Sequence, residues 1–532
     1  MAEDFDGDDP TNVDKDSTDF DTDSDTTGES DGAFLLASQG SVTFTGKMIG
    51  NALGLIFLSM ATRLTSKTVF GVYTLGLTVV LFTKELADFS LDQSIDYFIP
   101  QHLENGRTAV ARYLVYKISA FSLLGVVVAA VCLVVGRGSI ATLLDESTLK
   151  IALPLFVLIM IAESGLTLSA AVFRSVKRME LRVISRNISF SLLRIILIGG
   201  LLIAGWDLFG LVVGHLLAIL LTLFITLVLL YRYVDWFQIR SALSAPTDKM
   251  ESTRSILAYS LPLAFTGSLQ AITGYIDYFF IGYFQPSSKV ATYKIGFALA
   301  TTLLMFRSSL IPVLKPMIVE VKDDTKKLRE RYALATRWAL LTTLPAATTM
   351  ILAPEPFLAI LFSPSYLGAS LVVIVLTGGI VMRVIVGPTN VILEGSGLTR
   401  VLFVNMIAIL GVNFLIDVLL VPELGIVGAA VGTAAGLAIG GVLGLVEIYA
   451  FKGVHPFSWS LVPAGLSIVP TALGIDLAAR ALDSFPKMVV VLPLLALAIY
   501  YSTFYLMGGV TDHDRDVINT FFNRVPELLQ CD

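Results

Sequence analysis

The chain has 532 residues, 55% of them apolar and only 15% charged, with a mean hydropathy of +0.78. A soluble domain carries about 25% charge, so this composition excludes an ordinary soluble enzyme, a disordered protein and a nucleic-acid binder. The net charge of -6 hides two opposed parts: residues 1–32 hold thirteen Asp/Glu and one Lys, and the rest of the chain is net basic.

In chain order, residues 1–38 read as an acidic, disordered cytoplasmic tail. A cleavable signal peptide needs a basic start. That is absent here, so the first apolar segment is expected to act as an uncleaved membrane signal. A spanning helix needs roughly 20 apolar residues. Fourteen segments meet that length, at 42–62, 69–89, 113–135, 151–173, 184–204, 208–231, 256–283, 291–314, 333–353, 368–393, 401–421, 424–451, 458–479 and 488–508. The fold class is therefore an all-α polytopic membrane protein. After Thr511, Val517, Phe521, Phe522, Val525 and Leu528 fall on one face, as in a surface-lying helix over 511–532. Lys and Arg are three times as frequent in the loops on one side (among them Arg107, Arg174, Lys177, Arg178, Lys326 and Lys327) as on the other, where Arg63, Lys67 and Arg137 lie. That bias predicts both termini in the cytoplasm of a cell-membrane protein.

The body carries a weak duplication near an offset of 219. Phe70–Gly76 matches Val290–Gly296, Arg112-Tyr113 matches Arg331-Tyr332, 172–188 aligns with 391–407, and Phe209–Gly214 matches Val427–Gly432. The repeat pairs spans 1–6 (39–231, an N-lobe) with spans 7–12 (252–451, a C-lobe), leaving spans 13 and 14 (457–510) outside. Six is even, so both copies enter the membrane in one direction and relate by an axis along its normal. Two such lobes enclose a central cavity, as alternating access requires. Span 12 holds Gly428, Gly432, Gly436, Gly440 and Gly444 on one face, a surface for close helix packing within the chain.

Ionisable groups inside a membrane are costly unless paired or wet, so each is a functional candidate. Glu163, Arg194, His215, Asp277, Arg307, Arg383 and Asp417 lie near span centres, and Lys294 lies near the outer end of span 8. Arg194, Lys294, Arg307 and Arg383 suit an anionic cargo, because arginine grips phosphate oxygens in pairs. Glu163, His215, Asp277 and Asp417 are candidates for gating or coupling. Under the repeat Arg383 falls beside Glu163, which suggests an acid–base pair across the cavity; separate packing charges are the alternative. Asp277 either binds a coupling cation or pairs with an arginine. Lys84 and Asp88 form an i,i+4 pair.

Signals of soluble chemistry fail on inspection. Gly40–Lys47 has one residue too many for a phosphate loop and is followed by Met48 where Ser or Thr is needed. Cys132 and Cys531 have no metal or redox spacing. No cofactor, resident metal or catalytic residue is expected, and no internal loop is long enough for a glycosyltransferase domain.

The stretch beginning Ser66-Lys67-Thr68-Val69-Phe70-Gly71-Val72-Tyr73, the Ile99-Pro100 pair in the loop after span 2, the start of the second lobe at Tyr259–Gly282, and Gly425–Gly436 together resemble the polysaccharide and lipid-linked oligosaccharide flippases. These are the Wzx-like branch of the multidrug/oligosaccharidyl-lipid/polysaccharide exporter superfamily. The resemblance spans about residues 40–510. It implies movement of a polyprenyl- or dolichyl-phosphate-linked sugar from the cytoplasmic to the outer leaflet, through two pseudo-symmetric bundles with a cationic lumen. The family's loop arginine is absent, since Asp96 or Tyr97 stands there. The acidic tail resembles haloarchaeal sequences, which would make the lipid a dolichyl phosphate and the glycan one for a surface-layer glycoprotein. The partners implied are the lipid-linked sugar, membrane lipids, and the glycosyltransferases and oligosaccharyltransferase of the same pathway, with the transporter a monomer. A cation-coupled drug or metabolite exporter of the same superfamily is the alternative.

Overall fold

The computed structural model describes residues 45–234 and 253–510. The acidic tail and the C-terminal amphipathic segment lie outside the described residues. Every regular element among the described residues is helical. Membrane-spanning helices satisfy all their backbone groups internally, which is why apolar runs of this length take that form.

The spanning elements are α1 (45–64), α2 (Lys67–Ala87), α3 (Thr108–Val135), α4 (Ser147–Ser175), α5 (Met179–Ile203), α6 (Asp207–Tyr233) and α7 (Thr253–Phe284), then α8 (Ser287–Thr301), α9 (Leu304–Glu320), α10 (Thr325–Leu352), α11 (Pro364–Ile385), α12 (Thr399–Leu424), α13 (Ile426–Lys452), α14 (Trp459–Ala481) and α15 (Phe485–Leu506). Among the described residues, eleven helices are long and apolar enough to cross a membrane, or twelve if α10 is joined to the helix bent 90° from its end. The two other expected spans are helical but depart from the pattern. The first runs only from residue 45 to 64 as described, and 291–314 is interrupted at Thr302–Leu303 between α8 and α9.

Packing follows two sets of helices. In the first, α3, α5 and α6 gather around α4 and one another; in the second, α11, α12 and α13 pack together with α7, α8 and α10, and α14 and α15 lean on α10. The sets meet where α2 lies against α7 and α8. There Gly71 of α2 touches the Ser287 backbone at the start of α8, so closely that any Cβ would collide with it. Gly428, Gly432, Gly436 and Gly440 of α13 face Leu420, Asp417 and Ile409 of α12, and Gly444 faces Thr389. The small residues therefore serve packing within the chain, as expected.

Local chemistry fixes several helix ends. Ser66 caps α2 by accepting from the Val69 amide. At the far end of α2, Lys84 is 3% exposed and reaches Asp88 at 3.1 Å, the expected pair, and Glu85 at the same distance. The start of α5 is wound as a π-helix over Val183–Ser189, an irregularity that often marks functional sites.

Candidate functional site: a cationic cavity between the helix sets

A cavity of about 500 Å³ lies between the two sets. Both contribute walls: Phe57 and Tyr73 from α1 and α2, Arg194 from α5, His215 from α6, and Tyr278 and Lys294 from α7 and α8. The volume falls in the range of small-molecule sites. The sets also touch at both ends of the bundle. At one end Arg63 donates to the Ile360 carbonyl and Lys67 to that of Ser365 at 2.9 Å. At the other, Tyr97 stacks on Tyr259 with ring centroids 4.2 Å apart.

Two expected cations face this space. Arg194 packs its guanidinium over the rings of Phe57 at 4.0 Å and Phe190 at 5.1 Å. Its buried Nε has no hydrogen-bond partner among the described residues. Lys294 sits over the Tyr278 ring at 5.5 Å. Neither forms an ion pair with a described carboxylate. Glu163 also lines the cavity, but it is already paired with Arg186 from the π-helical turn. The lining charge is therefore net positive.

The other expected residues are placed differently. Arg383 is buried and does not line the cavity: it donates to Thr389 Oγ1 and Asn390 Oδ1, both at 2.7 Å. Glu163 and Arg383 therefore do not pair, and the separate-charge reading holds; the expectation that Arg383 lines the cavity is corrected. Equal depth in two lobes does not make side chains face each other; each finds a partner within reach of its own helix set. The side chain of Arg307 lies outside the described residues. His215 accepts from or donates to the Tyr73 hydroxyl at 2.6 Å and lines the cavity from α6.

Asp277 and Asp417 come together away from the cavity, 4% and 0% exposed. Asp277 accepts from Tyr293 and Thr433, and from Asn413 at 3.3 Å. Asp277 and Asp417 lie within hydrogen-bonding reach of each other if one carries a proton; with both ionised, both Asp417 oxygens and the Asn413 side-chain Oδ1 are buried without a donor among the described residues. Gly432 makes room for Asp417, since a Cβ there would collide with its Oδ1. No described cationic side chain pairs with either carboxyl. Two buried carboxyls so placed need a shared proton or a bound cation, and an all-oxygen set fits a hard cation.

Reasoning from the sequence missed Arg186, Tyr73, Tyr293, Asn413 and Thr433. The duplication itself held the signal for four of them. Carried onto the intramembrane polar residues, its offsets place Arg194 on Asn413, Tyr73 on Tyr293 and His215 on Thr433.

Two packed helix sets with a cavity between them make this a polytopic, all-helical membrane protein. It is similar to the structure titled "Lipid II flippase MurJ, inward closed conformation" (TM-score 0.66, 15% identity, covering 91% of this chain and all of that one). It is also similar to an inward-facing multidrug resistance MATE family transporter of the MOP superfamily (TM-score 0.62, 14% identity, 75% and 94% covered). The family model described as polysaccharide biosynthesis protein matches residues 36–322, so the chain belongs to that family. Relatives include an uncharacterized membrane protein of Methanocaldococcus jannaschii, 27% identical over 271 residues (48% of this chain, 50% of that protein). Another is the probable low-salt glycan biosynthesis flippase Agl15 of Haloferax volcanii, 24% identical over 231 residues (42% and 48%). The chain spans about half the length of the curated relatives it matches.

Proposed function

We propose that the protein is a flippase, not an enzyme, and that it carries a polyprenyl- or dolichyl-phosphate-linked sugar from the cytoplasmic to the outer leaflet of the cell membrane, for surface glycan assembly or protein glycosylation. One observation carries this reading: Arg194 and Lys294, supplied by opposite helix sets, line one cavity with no carboxylate on either. Desolvated cations left unpaired are costly, and a phosphate group offsets that cost with charge-assisted hydrogen bonds. The name of the Haloferax volcanii relative supports a glycan pathway. Both termini face the cytoplasm in this reading, and the partners are the enzymes that build the lipid-linked glycan and those that use it.

The Asp277–Asp417 cluster supports coupling of that movement to a cation, which would take the place of the shared proton and meet the acceptors of Asp417 and Asn413. The same cluster favours the second reading, cation-coupled export of a drug or metabolite. Deleting the gene and measuring lipid-linked sugars in each leaflet separates the two. Accumulation of one lipid-linked sugar on the inner leaflet is expected. Intact glycosylation with no accumulation overturns the flippase reading.

A further inference from the structure

The duplication brings together residues that neither half explains alone. At offsets of 218 to 220, Phe57 corresponds to Asp277, Tyr73 to Tyr293, Arg194 to Asn413 and His215 to Thr433. The contacts correspond as well. In the first half Arg194 lies on Phe57 at 4.0 Å and Tyr73 bonds His215 at 2.6 Å. In the second, Asn413 bonds Asp277 at 3.3 Å and Tyr293 approaches Thr433 at 3.5 Å. A third contact recurs: Gly214 faces Ile198 in the first half, and Gly432 faces Asp417 in the second.

The scaffold is therefore the same, and the charge is reversed. The second half presents two buried carboxyls and, with both ionised, acceptor oxygens on Asp417 and Asn413 that no described donor meets. The first half has an aromatic ring and an aliphatic side chain at the two acidic positions, and a guanidinium where the second half has the Asn413 amide. A guanidinium is a permanent cation, and a ring face is a surface it binds without a counter-carboxylate.

We infer that the two equivalent pockets have diverged into a site for a mobile cation and a site whose cation is built in: Arg194 permanently occupies, in the first half, the position that an exchangeable hard cation takes in the second. The inference rests on the cation reading of Asp277 and Asp417 above. It adds that the chain binds one such cation and not two, and that the first-half pocket, which opens on the cavity, recruits the anionic part of the cargo.

The test is equilibrium binding of ²²Na⁺ to the purified full chain, with ⁴⁵Ca²⁺ in parallel and choline as the inert control, together with melting curves. Wild type is expected to bind one cation per chain, and Asp277→Asn none. Replacing the first-half set with the second-half one, Phe57→Asp with Arg194→Asn and Ile198→Asp, raises the ratio from one to two. Asn413→Arg does the reverse. Its guanidinium lands against the two carboxyls, so cation binding disappears, and the melting temperature without cation matches that of cation-loaded wild type. Asn413→Ala, by contrast, melts lower. If wild type binds no cation, the reading of the acidic cluster fails. If wild type binds one but Asn413→Arg melts no higher than Asn413→Ala, the built-in-cation inference fails while that reading stands. Two cations on wild type, or one on a folded triple variant, also overturn it.

Discussion

Replacing Arg194 separates folding from cargo binding more sharply than any other change in the cavity. The side chain makes two ring contacts and no hydrogen bond to a described residue. A cation–π contact is worth about 0.5–2 kcal/mol, and burying a charge offsets much of that gain. Arg194→Gln should therefore shift stability by about 1 kcal/mol or less in either direction. Cargo binding should suffer more. A hydrogen bond to a charged group contributes about 1.5–3 kcal/mol, and an arginine–phosphate pair makes two, so the variant should lose roughly 100-fold or more in affinity for a prenyl pyrophosphate. Calorimetry in detergent with that lipid, and with the uncharged prenol as control, measures the effect. The prenol should bind both proteins alike. Equal pyrophosphate binding by wild type and Arg194→Gln would refute the cationic-cavity reasoning, and so would a loss of binding accompanied by unfolding.

Other outcomes follow from the same geometry. Lys294→Gln should weaken pyrophosphate binding in the same assay, and the Arg194/Lys294 double variant should fall below either single one. Glu163→Gln strands Arg186 and should cost about 1–3 kcal/mol, less than a fully buried pair because Arg186 is 34% exposed; adding Arg186→Gln should recover part of the lost melting temperature. Lys84→Met leaves Asp88 buried without its partner and should destabilise by about 3 kcal/mol, visible as early loss of helix on heating. In a background without Cys132 and Cys531, Tyr97→Cys with Tyr259→Cys, bridged by a short bifunctional thiol reagent, should stop transport in vesicles. Continued transport at full bridging would show that this end of the bundle need not part.

Much of the architecture was legible because the membrane imposes a coarse and demanding rule. Runs of about 20 apolar residues became helices nearly where expected, and the glycine row of α13 packs closely within the chain, mostly on α12, although its spacing did not name that neighbour. The break at Thr302–Leu303 was not legible, because apolarity alone does not report where a helix is interrupted. The site was harder to read. Depth along a span follows from counting residues, but the direction a side chain faces depends on how helices rotate against one another. Arg194 and Lys294 were legible as cations in apolar surroundings, and both face the cavity. Arg383 has the same signature in sequence, yet turns to Thr389 and Asn390 one turn beyond its helix. Asp277 and Asp417, from α7 and α12, could be matched only through the fold.

The contact of Gly71 with Ser287 has a mechanical meaning. It joins two duplicated helices, α2 and α8, backbone to backbone at one end of each. Steel levers have such a point, where the load is carried and displacement is smallest. From Gly71 to the far end of α2 is about 24 Å of helix, so a tilt of about 15° about that fulcrum moves the far end by roughly 6 Å. The same tilt hardly disturbs the pivot. The bundle can therefore part widely at the Tyr97–Tyr259 end while α2 and α8 stay joined, and even one methyl group at position 71 would prise that bearing open.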